Sequence, residues 1–96
     1  MTKYLVTWKA VNARQPENME ARVKQNLKFV EMVQEALKSG VIKDYGIAGD
    51  GMRGYAIFEG TETVGATMAQ MYVPYYEFEY TSVLTADEWV EVLKNL

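Results

Sequence analysis

The sequence predicts an α+β domain in which helices cover one side of a four-stranded antiparallel sheet, strung in the order β-α-β-β-α-β with a short helix at the end. Three observations carry this. Stretches near both ends alternate their side chains with the period of two expected of strands. A long stretch from about 17 to 39 repeats its apolar residues at helical spacing instead. Between 41 and 60, two β-rich runs flank the glycine-rich segment GDGMRG.

Residues 3–9, KYLVTWK, are rich in β-branched and aromatic types and form the first strand. Tyr4, Val6 and Trp8 share one face, and Leu5, Thr7 and Lys9 the other. The polar NARQPEN leads into the long helix. Asn18 is its expected N-cap, with Pro16 in the first turn as the alternative start. Val23, Leu27, Val30 and Leu37 form the expected core stripe, widened by Phe29, Met32, Val33 and Ala36. Gly40 suits the left-handed position that ends the helix.

VIKDYGIAG (41–49) and GYAIFEG (54–60) are the next two strands, a hairpin whose loop is somewhat longer than two residues. GDGMRG (49–54) sits between strands, so it is a turn and not a phosphate loop opening a helix. Thr61 caps a second helix over 62–72, with Val64, Met68, Met71 and Tyr72 on one side. Gly65 weakens that helix, and Pro74 ends it. YYEFEYTSVL (75–84) places Tyr76, Phe78 and Tyr80 on one face and Glu77, Glu79 and Thr81 on the other. TADE (85–88) matches a capping box, and Trp89, Val92, Leu93 and Leu96 make the last helix amphipathic.

This is the ferredoxin-like split arrangement, a single domain over 1–96. Two helices cover one sheet face. The other face also carries apolar residues, as Leu5 beside Val6 and Ile57 beside Phe58 show. A second copy of the chain is the simplest cover, so the expectation is a homodimer, two sheets face to face in a dimeric α/β barrel. YLVTWKA at the start and YYEFEYTSVLTADEWVEVL at the end resemble a functionally uncharacterised family of the dimeric α/β-barrel superfamily. That resemblance implies a dimer with a cavity inside the barrel or between helices and sheet. It implies no particular reaction. The superfamily also contains cofactor-independent monooxygenases, isomerases and haem-dependent members.

Composition removes several kinds of chemistry. With neither histidine nor cysteine, the chain has no Ser-His or Cys-His dyad and no His or Cys ligand for haem or zinc. No cofactor and no metal are expected, and proton transfer would fall to Glu, Asp, Tyr or Lys. The lack of cysteine in so small a domain points to the cytoplasm. A net charge of −3 without a basic face argues against nucleic acid. The strand GYAIFEG only faintly echoes the aromatic spacing of RNA-recognition sheets. No apolar run reaches the length of a membrane span, and the first residues lack the apolar core of a signal peptide.

The candidate ligand-binding residues are Trp8, Tyr55, Tyr76, Glu77 and Glu79; catalytic residues are unknown. Glu77 and Glu79 point the same way, roughly 6.5–7 Å apart by strand rise. They are a possible acid/base pair, with Glu59 a further member if the register allows, or else the solvated face of a strand. The tyrosines and Trp8 suit packing, an interface, or a pocket for a flat apolar molecule. Two functions follow. The first is a homodimer that binds a small apolar or aromatic molecule. The second is a cofactor-independent enzyme, monooxygenase- or isomerase-like, acting on a small organic acid or aromatic compound.

Overall fold

The structure, a computed structural model, describes residues 2–72 and 75–96. Four strands, β1 (Thr2–Ala10), β2 (Ile42–Ile47), β3 (Arg53–Gly60) and β4 (Tyr76–Val83), form one sheet in the order β2-β3-β1-β4. Every neighbouring pair is antiparallel. Helix α1 (Met19–Ser39) lies against β2, and α2 (Glu62–Gln70) against β3. A third helix, α3 (Ala86–Lys94), follows β4, and a single 3-10 turn (Asn12–Arg14) follows β1. The ending expected at Pro74 lies outside the described residues.

Local signals place the helix ends. Asn18 Oδ1 accepts from the Ala21 N–H at 3.1 Å and starts α1. Gly40 ends it at φ 82°, where a side chain would strain the backbone. Thr61 caps α2 through the Val64 N–H. Thr85 and Glu88 complete the capping box of α3, each accepting from the other's backbone N–H. The β2–β3 hairpin turns through Ala48–Met52, closed by Gly51 N–H to Ala48 O at 2.8 Å.

The core lies between the helices and one sheet face. Tyr4, Val6, Trp8, Ala56, Phe58 and Tyr76 supply the sheet side, and Phe29, Val33 and Ala36 the α1 side. The expected α1 stripe is therefore rotated. Phe29, Val33 and Ala36 are buried, while Val23, Leu27 and Leu37 are exposed. Apolar residues cover a wide arc of this helix. The side carrying Phe29 wins because that ring meets Trp8, Tyr72 and Tyr76 at centroid distances of 5.6, 4.7 and 4.9 Å. Helix α2 shows a similar correction. It ends at Gln70, and its buried residues are Gly65 and Ala69 rather than Val64 or Met71. Gly65 helps the packing, because a methyl group there would stand 3.1 Å from the Phe58 ring.

The register shifts between Ile42 and Asp44, a bulge in β2. Residues three apart on a regular strand face opposite ways. The extra residue lets Ile42, opposite Phe58, and Tyr45, opposite Ala56, both face the helices.

Helix α3 stands apart. Every residue from Leu84 to Leu96 is exposed, including Trp89, Leu93 and Leu96. The molecule measures 55 × 25 × 24 Å, and its radius of gyration is 15.4 Å. A compact domain of this length would have roughly 12–13 Å.

Candidate functional site

The candidate residues divide between the two sheet faces. Trp8 and Tyr76 lie on the helix side, their rings edge to face at 5.5 Å. Tyr55, Glu77 and Glu79 lie on the open side. The five do not form one site, because neighbours along a strand point opposite ways.

On the helix side, a narrow cleft of about 50 Å³ runs between the helices and the sheet. Trp8, Phe29, Met32, Tyr45 and Phe78 are on its walls. It adjoins an outer concavity of about 290 Å³, and Phe58, Gly65 and Tyr80 line both. Among the described residues, no charged side chain lines the inner cleft. The outer concavity has one, Glu62, which accepts a hydrogen bond from the Tyr4 hydroxyl at 3.2 Å.

Polar atoms near this cleft are held in different ways. The Tyr76 hydroxyl donates to Asn26 Oδ1 at 2.6 Å, and the Tyr80 hydroxyl donates to the Gly65 carbonyl at 2.9 Å. By contrast, Trp8 Nε1 and the Tyr45 hydroxyl are buried with no hydrogen-bond partner among the described residues. Their rings are stacked, 15° from parallel with centroids 6.3 Å apart. Burial pushes the Tyr45 phenol up to about 12, and Tyr76 adds to the rise. Tyr45 therefore keeps its proton at neutral pH and remains a donor.

On the open side the register sets out rows across β3, β1 and β4. Ile57, Leu5 and Thr81 form one; Tyr55, Thr7 and Glu79 the next; Arg53, Lys9 and Glu77 the third. The second and third rows line a broad open groove of about 1060 Å³. The Tyr55 hydroxyl donates to Asp44 Oδ2 at 2.9 Å, and this bond and the Asp44 charge raise the phenol above its usual range. Glu77 pairs with Lys9 at 3.6 Å, both largely in solvent. Such a pair contributes little. Glu59 sits opposite Lys3 at the other end of β3, so it does not join Glu77 and Glu79. No three carboxylates converge to hold a metal among the described residues.

Two features escaped the sequence reading. Tyr45 reaches the cleft through the β2 bulge, which no residue in IKDYGI announces. Gly46 and Gly54 had a signal, since glycine inside a strand marks a close approach. The Tyr55 ring lies over Gly46, and the Trp8 indole lies on Gly54. Among the described residues, no helix is long and apolar enough to cross a membrane. Set against protein-family models, curated proteins and solved structures, the chain gives no significant match.

Proposed function

We propose that this protein is a homodimer that binds a small apolar or aromatic molecule in the cleft between its helices and sheet. One observation carries the reading: the cleft is walled by Trp8, Phe29, Tyr45 and Phe78 with no charge among them. Aromatic walls with a few polar atoms are how proteins commonly hold small organic ligands.

The dimer rests on two surfaces. In the ferredoxin-like arrangement, the sheet face away from the helices needs a cover, and Leu5 and Ile57 on that face are only half buried. Pairing two such faces builds a dimeric α/β barrel, in keeping with the family resemblance at both chain ends. Helix α3 is the second surface. An isolated helix of 9 residues is marginal in water even with good caps. Its Trp89 and Leu93 face therefore needs a surface to pack on, which a second copy can supply. A cytoplasmic location belongs to the same reading, resting on the absence of cysteine.

The test is native mass spectrometry on protein taken directly from its expression host, with sedimentation at micromolar concentration. A dimer with added mass supports both halves of the reading. A monomer overturns the barrel. A dimer that never retains or binds any small aromatic compound overturns the ligand.

A cofactor-independent enzyme is the second reading. The Tyr55–Asp44 hydrogen bond favours it, since it orients a phenol on the open face across Thr7 from Glu79. Strand spacing puts their backbones roughly 9–10 Å apart, and the Tyr55 ring leans toward β2, away from Glu79, leaving the floor over Thr7 open. Full activity of Glu79→Gln on an identified substrate would remove Glu79 as the base.

A further inference from the structure

We infer that α3 is an exchanged arm: in the homodimer it lies on the other subunit and seats Trp89 in that subunit's concavity between α2 and the β4 edge of the sheet. This rests on the homodimer of the proposed function, not on its ligand, and it names the surface that α3 covers.

The helix and the concavity are each incomplete in a single chain. Trp89, Val92, Leu93 and Leu96 recur at i, i+3, i+4 and i+7, which puts them on one face of α3. Trp89 is 53% exposed, Leu93 52% and Leu96 96%. The concavity, about 290 Å³, is walled by Tyr4, Phe58, Gly65, Ala66 and Tyr80. Gly65 and Ala66 bring almost no side chain to the α2 wall, and Tyr80 is left 41% exposed. There is room here for an indole, and the rings of Tyr4, Phe58 and Tyr80 are surfaces on which an indole packs well.

Two features direct α3 to a second copy. The connection from β4 is only Leu84 and Thr85, with no glycine. Thr85 is extended, at φ −70° and ψ 165°, and the capping box fixes it there. The helix therefore leaves its own sheet exposed along its whole length, and the molecule is 55 Å long against 25 and 24 Å across. The concavity in turn lies beside β4, an edge strand, so a neighbouring arm can enter from the side. Charge agrees. Among the described residues, Glu62 is the one charge lining the concavity. The apolar face of α3 brings no carboxylate to it, and Lys94 borders that face. Asp87, Glu88 and Glu91 lie on the other side of α3, where an anionic lipid surface would repel them. A two-fold axis makes the contact twice, which helps so small a chain reach the roughly 1,200 Å² of a stable interface. The concavity shares Phe58, Gly65 and Tyr80 with the inner cleft, so the seated indole also covers the mouth of that cleft.

The chain has no cysteine, which makes cross-linking a clean test. Ala66→Cys marks the concavity and Val92→Cys marks α3, both at exposed positions. The two variants, mixed and treated with a short bismaleimide, should give a covalent dimer whose intact mass shows one chain of each. In sedimentation, Trp89→Ala should raise the dimer Kd at least about thirtyfold, the loss typical of a tryptophan anchor. Ala66→Phe fills the concavity from α2 and should loosen the dimer similarly. The two together should cost little more than either alone, because both remove one contact. Far-UV circular dichroism should show both variants folded.

A dimer that forms with its parent Kd in both variants and gives no mixed product overturns the arm and leaves the homodimer standing. A chain carrying both cysteines that bridges only within itself shows α3 folding onto its own subunit, and overturns the exchange. A mixed product with Leu27→Cys in place of Ala66→Cys moves the arm to the exposed stripe of α1 and overturns the concavity. A monomeric parent overturns the inference and the homodimer together.

Discussion

A methyl group on Gly54 would stand 2.4 Å from the Gly46 carbonyl oxygen and 2.5 Å from Trp8 Cζ2. Neither neighbour can yield easily. The oxygen belongs to the backbone of β2, the strand paired with β3. The indole is held among Phe29, Tyr45 and Tyr76, with centroids 5.6, 6.3 and 5.5 Å away. Overpacking a well-filled site costs about 1–3 kcal/mol. With two obstructions, one of them backbone, Gly54→Ala should fall at the upper end, about 3 kcal/mol. That lowers the melting temperature by roughly 12–24 °C for a domain of this size.

Two other glycines make the comparison specific. At Gly46 the obstruction is Tyr55 Cε1 at 2.3 Å, part of an exposed side chain that can swing into solvent. Gly46→Ala should lose the Tyr55–Asp44 hydrogen bond and cost less than half as much as Gly54→Ala. Around Gly49 there is nothing within 4 Å, so Gly49→Ala should stay within about 0.5 kcal/mol of the parent. Urea denaturation monitored by far-UV circular dichroism measures all three. If Gly54→Ala costs under about 1 kcal/mol, or no more than Gly49→Ala, the indole does not rest on Gly54 and the core packing described above is wrong.

Phe29→Ala should destabilise the fold by about 3–5 kcal/mol, whereas Leu27→Ala, at a side chain 54% exposed, should cost under about 0.5 kcal/mol. Comparable urea midpoints for the two would restore the stripe through Leu27 as the core face. Stability should also fall above pH 10. The unfolded chain loses its phenolic protons near that value, while burial keeps them on Tyr72, Tyr76 and Tyr80 to higher pH and on Tyr45 up to about 12. The folded state then binds more protons than the unfolded one, so the stabilisation is complete below pH 10 and lost on rising through about 12. Melting temperatures from pH 9 to 12 check this, and Tyr45→Phe should flatten the decline. Lys9→Ala should change stability by under about 0.5 kcal/mol, because its pair with Glu77 is solvent-exposed. A larger loss in sedimenting dimers than in monomers would place that pair at an interface.

Much of the fold was legible because its signals are local. Asn18, Gly40, Thr61 and Thr85 each act on backbone within a few residues, and the strand alternation in YEFEY is set by the pleat itself. The site was only partly legible. Tyr76 and Glu77 were expected on opposite faces and are found there. Tyr55 and Ile57 alternate with Ala56 and Phe58, all four of them compatible with burial, so the strand alone does not say which pair faces the helices. The structure gives the helices Ala56 and Phe58 and leaves Tyr55 to Asp44.

By itself, the sequence determined the kinds of elements, their order and most of their ends, because propensity, capping and turn chemistry depend on neighbours along the chain. It also removed histidine and cysteine chemistry outright. Only the tertiary structure decided which stripe of α1 is buried, that a bulge turns Tyr45 toward Trp8, and that the candidate residues divide between a helix-side cleft and an open groove. The reason is physical. Each choice depends on which rings fit together across sequence separations of tens of residues, and close packing selects among alternatives that composition and period leave equal.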